Sequence, residues 1–218
     1  MATRFYTDPT NTPDVSPSFH TSWADTTQAV RRRLVIDTKG DNASTDFTID
    51  EVAAFNERVC AVQFVSEPLD AISATLPVLK GVFRCLESNA KANCLLCFAI
   101  NKCDSNGSNV VEFKVEPDNT EFDAGALTAR FSGPFNETDQ VFNQGDRLIL
   151  EVGALFSYDK VSSYNATISV TDNHATDLGE NNTDTAAYNS WFETGDTFTV
   201  ASGDPPAAIK LGPMFTFA

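Results

Sequence analysis

Long hydrophobic runs are absent from this 218-residue chain: the longest, Cys94–Ile100, has seven residues, against the ~20 that a membrane-spanning helix needs. No membrane partner is therefore expected. The opening stretch Met1-Ala2-Thr3-Arg4-Phe5-Tyr6-Thr7-Asp8-Pro9 has no apolar core of the kind a secretory leader requires, which predicts assembly in a cytoplasm. Basic residues are scarce, 15 Lys and Arg against 30 Asp and Glu, for a net charge of −15. The imbalance is concentrated after residue 110, where 5 basic residues face 17 acidic ones. Such a surface keeps a protein soluble by self-repulsion and repels phosphate, so direct nucleic-acid binding is not expected.

Histidine, tryptophan and methionine occur only twice each. His20 and His174 sit in a Pro-rich stretch and a polar loop, with no Gly-x-Ser-x-Gly nucleophile signature elsewhere. Both read as surface or interface residues rather than general bases. No enzyme, cofactor or metal is expected.

A helical apolar stripe is missing as well. What is present is period-two alternation, returning about ten times. Strands are predicted over 29–38, 47–52, 58–64, 71–77, 78–86, 94–100, 110–115, 126–131, 147–156, 164–170, 190–194 and 197–200, with a last alternation at Met214–Phe217. Gly81 marks a bulge, because the alternation changes phase there. Turn signals stand at Lys39-Gly40-Asp41-Asn42, at Gly195-Asp196 and at Asp104–Ser108, the last predicting a hairpin with a type I′ turn at Asn106-Gly107. In the strand that follows, Val111, Phe113 and Val115 are expected inward. Seventeen Phe supply much of the core, and Phe suits a pleated, half-buried surface.

These signals predict an all-β protein: an antiparallel β-sandwich, jelly-roll-like, forming one domain over 1–218. An extended N-terminal arm (1–28), pinned by Pro9, Pro13 and Pro17, would precede the sandwich (29–218). At this length roughly 70% of the unfolded chain's surface is buried on folding, enough for a core without metals or disulfides.

Arm residues Phe5, Tyr6, Phe19 and Trp23 read as apolar anchors laid on the chain's own domain or a neighbour's. Arg31, Arg32 and Arg33 alternate faces if they lie in a strand, and their fork geometry suits carboxylates of the same or an adjacent subunit. These seven residues form the candidate interface. Most of the five Cys read as reduced, buried, small apolar residues, with a disulfide between neighbouring strands as the alternative. Cys94 and Cys97 would point to opposite faces of a strand, which disfavours a shared metal. The loop Asp172–Asp184 carries four carboxylates and reads as a solvated or interface loop, with calcium as the alternative. Tyr158, Tyr164, Tyr188 and Trp191 could form a sugar-stacking face, although such aromatics more often anchor cores or interfaces.

Four stretches, Arg4–Val35, Lys80–Asn93 (KGVFRCLESNAKAN), Gly145–Phe156 (GDRLILEVGALF) and Asp177–Glu193 (DLGENNTDTAAYNSWFE), resemble a group of structural proteins from tailed bacteriophages. That resemblance implies a virion component with a jelly-roll-like fold. The expected role is non-enzymatic: a capsid decoration or cement protein, trimeric, bound to the major capsid protein and other virion proteins. A tail or neck component is the alternative within the virion, and a carbohydrate-binding module for host attachment the alternative of another class. On this view deleting residues 1–28 would leave a folded domain that no longer binds the particle.

Overall fold

The alternating segments become strands in the computed structural model, which describes residues 2–36, 39, 44–51, 56–74, 78–135, 140–157 and 164–201. In chain order they are β1 (Thr3–Asp8), β2 (Val30–Ile36), β3 (Thr45–Asp50), β4 (Glu57–Ser66), β5 (Ile72–Ala74), β6 (Leu79–Glu87), β7 (Cys94–Cys103), β8 (Val111–Glu121), β9 (Thr128–Phe135), β10 (Gln140–Phe142), β11 (Arg147–Phe156), β12 (Asn165–Val170) and β13 (Trp191–Thr194). No helix occurs among the described residues. The predicted all-β class holds.

One layer runs β3-β12-β6-β9 and the other β4-β11-β7-β8. This is the strand order of a jelly roll, in which two Greek keys fold one antiparallel ribbon into two facing sheets. A bridge of β13, β1 and β2 joins β6 to β4 along one side. Pairing is antiparallel except between β2 and β4, where Val30 faces Val62 and Leu34 faces Ser66 in a parallel ladder. The exception to the antiparallel expectation has a topological cause. β2 of the bridge and β4 are neighbours in space but are connected through β3 in the other layer, so the chain re-enters in the same direction.

Alternation places one face of each strand in the space between the layers. Leu148, Leu150, Val152, Ala154 and Phe156 of β11 line it, as do Ala166, Ile168 and Val170 of β12. The phenylalanines form a continuous line of rings through this core: Phe113, Phe142, Phe198, Phe5, Phe192, Phe98 and Phe83. Successive centroids lie 5.1–6.5 Å apart in tilted or edge-on geometry, the spacing at which ring quadrupoles attract. The Phe-rich composition thus has a structural use, spanning the core from one end to the layer interface.

β1 is the main departure from the sequence reading. The segment expected as the tip of a free arm is a strand inside the sheet, with β13 on one edge and β2 on the other. Its alternation, Phe5 inward and Tyr6 outward, is too short to be told from an arm. The hairpin at 104–110 exists, but the left-handed residues are Gly107 and Asn109, not the Asn106-Gly107 pair of a type I′ turn. The β7–β8 ladder shifts register between Ile100 and Asn101, from partner Lys114 to Glu112. The skipped residue, Phe113, flips the phase, so Val115 joins the outer cluster instead of the core. The Gly81 bulge is present as a register shift against β9. The stretch 197–200 is not a strand; it contributes one bridge, Val200 to Leu69. Residues 37–38, 40–42, 52, 75–77, 158 and 214–217, which carry parts of the predicted turn and strands and the Tyr158 aromatic, lie outside the described residues.

Candidate functional site

Part of each outer face of the jelly roll is covered by a long connection, and most of the sequence-predicted interface residues are used to fasten the two connections. Residues 9–29 leave β1 and enter β2, so both ends of this strap are held in the sheet. It crosses the outside of β4, β11 and β7. Val15 packs with Val65, Cys103 and Ile149, and Phe19 and Trp23 with Cys60, Cys97 and Ala99. Trp23 fits because residue 153 has no side chain: a Cβ on Gly153 would lie 2.9 Å from the indole and 2.1 Å from the Val59 carbonyl oxygen.

The fastening is polar. Glu151 is fully buried on the outer face of β11. It accepts hydrogen bonds from the His20 backbone N–H (3.1 and 3.2 Å), the Trp23 indole N–H (2.5 Å) and Gln63 (2.8 Å). Burial raises its pKa, and the three donors only partly reverse the shift. Arg31 donates to Gln63 (2.8 Å) and to the Pro17 carbonyl (3.0 Å), with its guanidinium 4.5 Å from the Phe19 ring centroid. Arg32 donates to the Pro9 carbonyl (2.6 Å). Arg33 alone of the three meets a carboxylate, Glu67.

The interface expectation is therefore revised. Phe5, Tyr6 and Trp23 are buried within the chain, and Arg31 and Arg32 hold the strap's carbonyls. Phe19 is half-buried beneath Arg31. The deletion expectation changes too, since removing residues 1–28 removes an interior strand.

The second connection, residues 171–190, covers the outside of β6, β13 and β1. Leu178 packs with Tyr6, Val82, Ala129 and Trp191. The Trp191 indole donates to the Leu178 carbonyl (2.8 Å), and the Arg4 guanidinium stacks 4.0 Å from its ring centroid. Arg4 bridges Asp177 and Glu193 at 2.9 Å each, Lys39 meets Asp177 at 2.9 Å, and Lys80 meets Glu180 at 2.5 Å and Glu193 at 3.0 Å. Burial pushes the Asp177 carboxyl up, but Lys39, Asn189, Tyr6 and Arg4 outweigh it and hold it below the usual range. Burial and Asp177 push the Tyr6 phenol up to about 12. Two carboxylates of the calcium alternative, Asp177 and Glu180, thus face the chain's own cations. The loop also caps the edge of β9, where Ala129 N–H donates to the Asp184 carbonyl (2.7 Å) and Phe131 N–H to the Asn182 side chain (2.8 Å).

Trp191 and Tyr164 are buried, and Tyr188 is half-buried against His174, with ring centroids 4.7 Å apart. These rings offer no shared face to a sugar. The five thiols are buried and in no disulfide. Cys94 lies in the inter-sheet core and Cys97 in the outer cluster, on opposite faces as predicted. Burial pushes Cys97 up to about 12 and Cys103 to about 11.

The two ends of the roll differ. At one end Glu87 is buried and accepts from Cys94 N–H (2.9 Å); burial and the neighbouring Glu121 push its carboxyl up to about 7. The other end is built from the β4–β6, β7–β8 and β9–β11 connections, joined by the β5–β10 ribbon. All four exposed large hydrophobics of the described residues, Val78, Val111, Val141 (58% exposed) and Val200, lie here. Val200 also lines a cleft of about 250 Å³, with the strap (Thr12–Asp14), Arg33, the end of β4 and the two residues after it (Val65–Pro68) and Arg147. Sequence reasoning missed this site. Its available signal was the pair Arg147 and Glu151, two charges on one face of an otherwise apolar strand, which require dedicated partners.

No family model and no curated protein matches the chain. Among solved structures it is similar to a CocE/NonD family hydrolase from Staphylococcus aureus, at 12% identity over 89% of this chain and 36% of that chain, TM-score 0.45. A second structure of that hydrolase matches at 12% identity over 73% and 34%, TM-score 0.35. A structure of infectious bursal disease virus (Gx strain) matches at 11% identity over 77% and 46%, TM-score 0.20. The chain spans about a third of the hydrolase chain and under half of the viral one.

Proposed function

We propose that this protein is a non-enzymatic structural component of a tailed-phage virion, a decoration or cement protein that joins capsid subunits. The observation that supports this most is that the exposed large apolar side chains of the described residues fall at one end of the roll, the end that also carries the 250 Å³ cleft. The strap and the 171–190 connection cover part of each outer face, which favours that end as the attachment surface. The prominent polar groups, Glu151, Arg4, Asp177 and Arg31, are engaged in holding connections in place. At roughly 25 cal/mol per Å² of apolar area, a patch of this kind stabilises a contact modestly, and association costs consume part of the gain. Many copies on a symmetric shell make the small contribution effective, and a trimer suits a three-fold position.

The test is reconstitution. Purified protein mixed with particles lacking it should co-sediment and appear at regular head positions in a cryo-EM map, and Val111→Asp with Val141→Asp should reduce occupancy at least tenfold. Density on the tail or neck would replace the capsid reading. Absence from the particle would reject the virion role.

A further inference from the structure

We propose that the Arg147 guanidinium is a binding site for a carboxylate on a partner polypeptide, and that Asp14 occupies it as a built-in substitute. Arg147 begins β11 with its side chain only 5% exposed. Two backbone carbonyls fix it: Nε donates to Ser105 (3.0 Å) and Nη1 to Ser66 (3.1 Å). The remaining face of the fork points into the cleft and holds both Asp14 oxygens, at 2.8 and 2.9 Å. Planar, two-pronged recognition of a carboxylate is what guanidinium geometry does best.

The two partners are unequally placed. Arg147 is built into the sheet, whereas the Asp14 side chain is 73% exposed on a strap without regular structure. A buried guanidinium is costly to leave unpaired, but an exposed carboxylate is held weakly because water competes for it. The site therefore favours exchange of one carboxylate for another over vacancy.

The surroundings define the incoming group. Pro13, Val65, Pro68 and Val200 line the cleft, with Val200 exposed at the rim, so aliphatic residues flanking an acidic side chain would find apolar contact. Glu67 in the cleft lining is already paired with Arg33, so the exchangeable position is the planar, two-pronged one on Arg147, which fits a carboxylate better than a tetrahedral phosphate. The ligand class is an extended peptide carrying Asp or Glu between aliphatic residues. This inference stands on the cleft alone and does not depend on the virion reading.

The test uses the purified full chain and two blocked tripeptides, acetyl-Val-Asp-Val-amide and acetyl-Val-Asn-Val-amide, with binding followed by NMR at the backbone amides of the residues lining the cleft and, where Arg147 is present, at its Nε–H signal. Asp14→Ala should bind the Asp peptide at least tenfold more tightly than the wild-type chain, which must first displace its own carboxylate. The Asn peptide should bind at least tenfold more weakly than the Asp peptide. Arg147→Lys in the Asp14→Ala background, which keeps the charge and loses the fork, should weaken the Asp peptide at least tenfold while an unchanged amide spectrum elsewhere reports an intact fold. Equal binding of the two peptides, binding unaffected by Arg147→Lys, no binding to Asp14→Ala, or preference for inorganic phosphate or an oligonucleotide would overturn the proposal.

Discussion

Replacing Phe5 by alanine separates a strand inside the sheet from an arm lying on it. The Phe5 ring is fully buried and sits between Phe192 (6.4 Å) and Phe198 (5.9 Å) in the line of rings. Truncating a buried Phe costs about 3–5 kcal/mol through lost transfer energy and the cavity left behind. Phe19, on the strap, is half-buried under Arg31, so its truncation gives up about 1–2 kcal/mol of partial burial and cation–π contact. For a domain of this size each kcal/mol moves the melting temperature by roughly 2–4 °C. Phe5→Ala should therefore melt roughly 6–20 °C below the wild-type protein and Phe19→Ala roughly 2–8 °C below it. Differential scanning calorimetry or a urea titration reads both. The same reasoning expects a chain lacking residues 1–28 not to fold, because β13 and β2 lose their shared partner and total stability is only about 5–15 kcal/mol. A melting temperature for Phe5→Ala within about 3 °C of wild type, or a cooperative transition in the truncated chain, would refute the placement of β1.

Gly153→Ala should destabilise by about 1–3 kcal/mol or more, since its Cβ would lie 2.1 Å from the Val59 oxygen; equal denaturation midpoints would show that β4 and Trp23 do not approach residue 153 this closely. Ellman's reagent should find almost no reactive thiol in the native protein and all five after denaturation, because each cysteine is buried. Glu87 is predicted to set a pH dependence. Its folded pKa, about 7, lies above the ordinary 4.5, so the native state holds a proton that the unfolded chain has released, and stability falls as pH rises from 4.5 to about 7. Glu87→Gln should flatten that slope in urea titrations across the window. Asp177 and Glu193 act with the opposite sign: their folded values are lowered from 3.8 and 4.5, so each contribution is present above that ordinary value and lost as pH falls below it towards the folded one. Asp177→Asn should reduce the acid-side loss.

Much of the architecture was legible in the residues because a strand with one face in the core writes its period into the chain. β11 was readable end to end, and β12 nearly so, for this reason. The Gly81 bulge was visible as a phase change, and the opposite facing of Cys94 and Cys97 followed from strand geometry alone. Period and composition thus determined the all-β class and the residues that fill the core. They could not determine partners across the sheet. β1 is too short for its alternation to distinguish an interior strand from an arm, and its neighbours β13 and β2 are distant in sequence or separated by the strap. Phe113 broke the β8 pattern through a register shift that exists only opposite β7. Charged residues were the least legible. Arg31 and Arg32 looked like interface groups until their acceptors, the Pro17 and Pro9 carbonyls, were in place. Arg147 and Asp14 are 133 residues apart and carry no mutual signal. Hydrophobic burial is a property of local period, whereas a buried charge depends on a partner supplied from elsewhere in the chain. The core was therefore determined by the sequence, and the cleft only by the fold that brought its walls together.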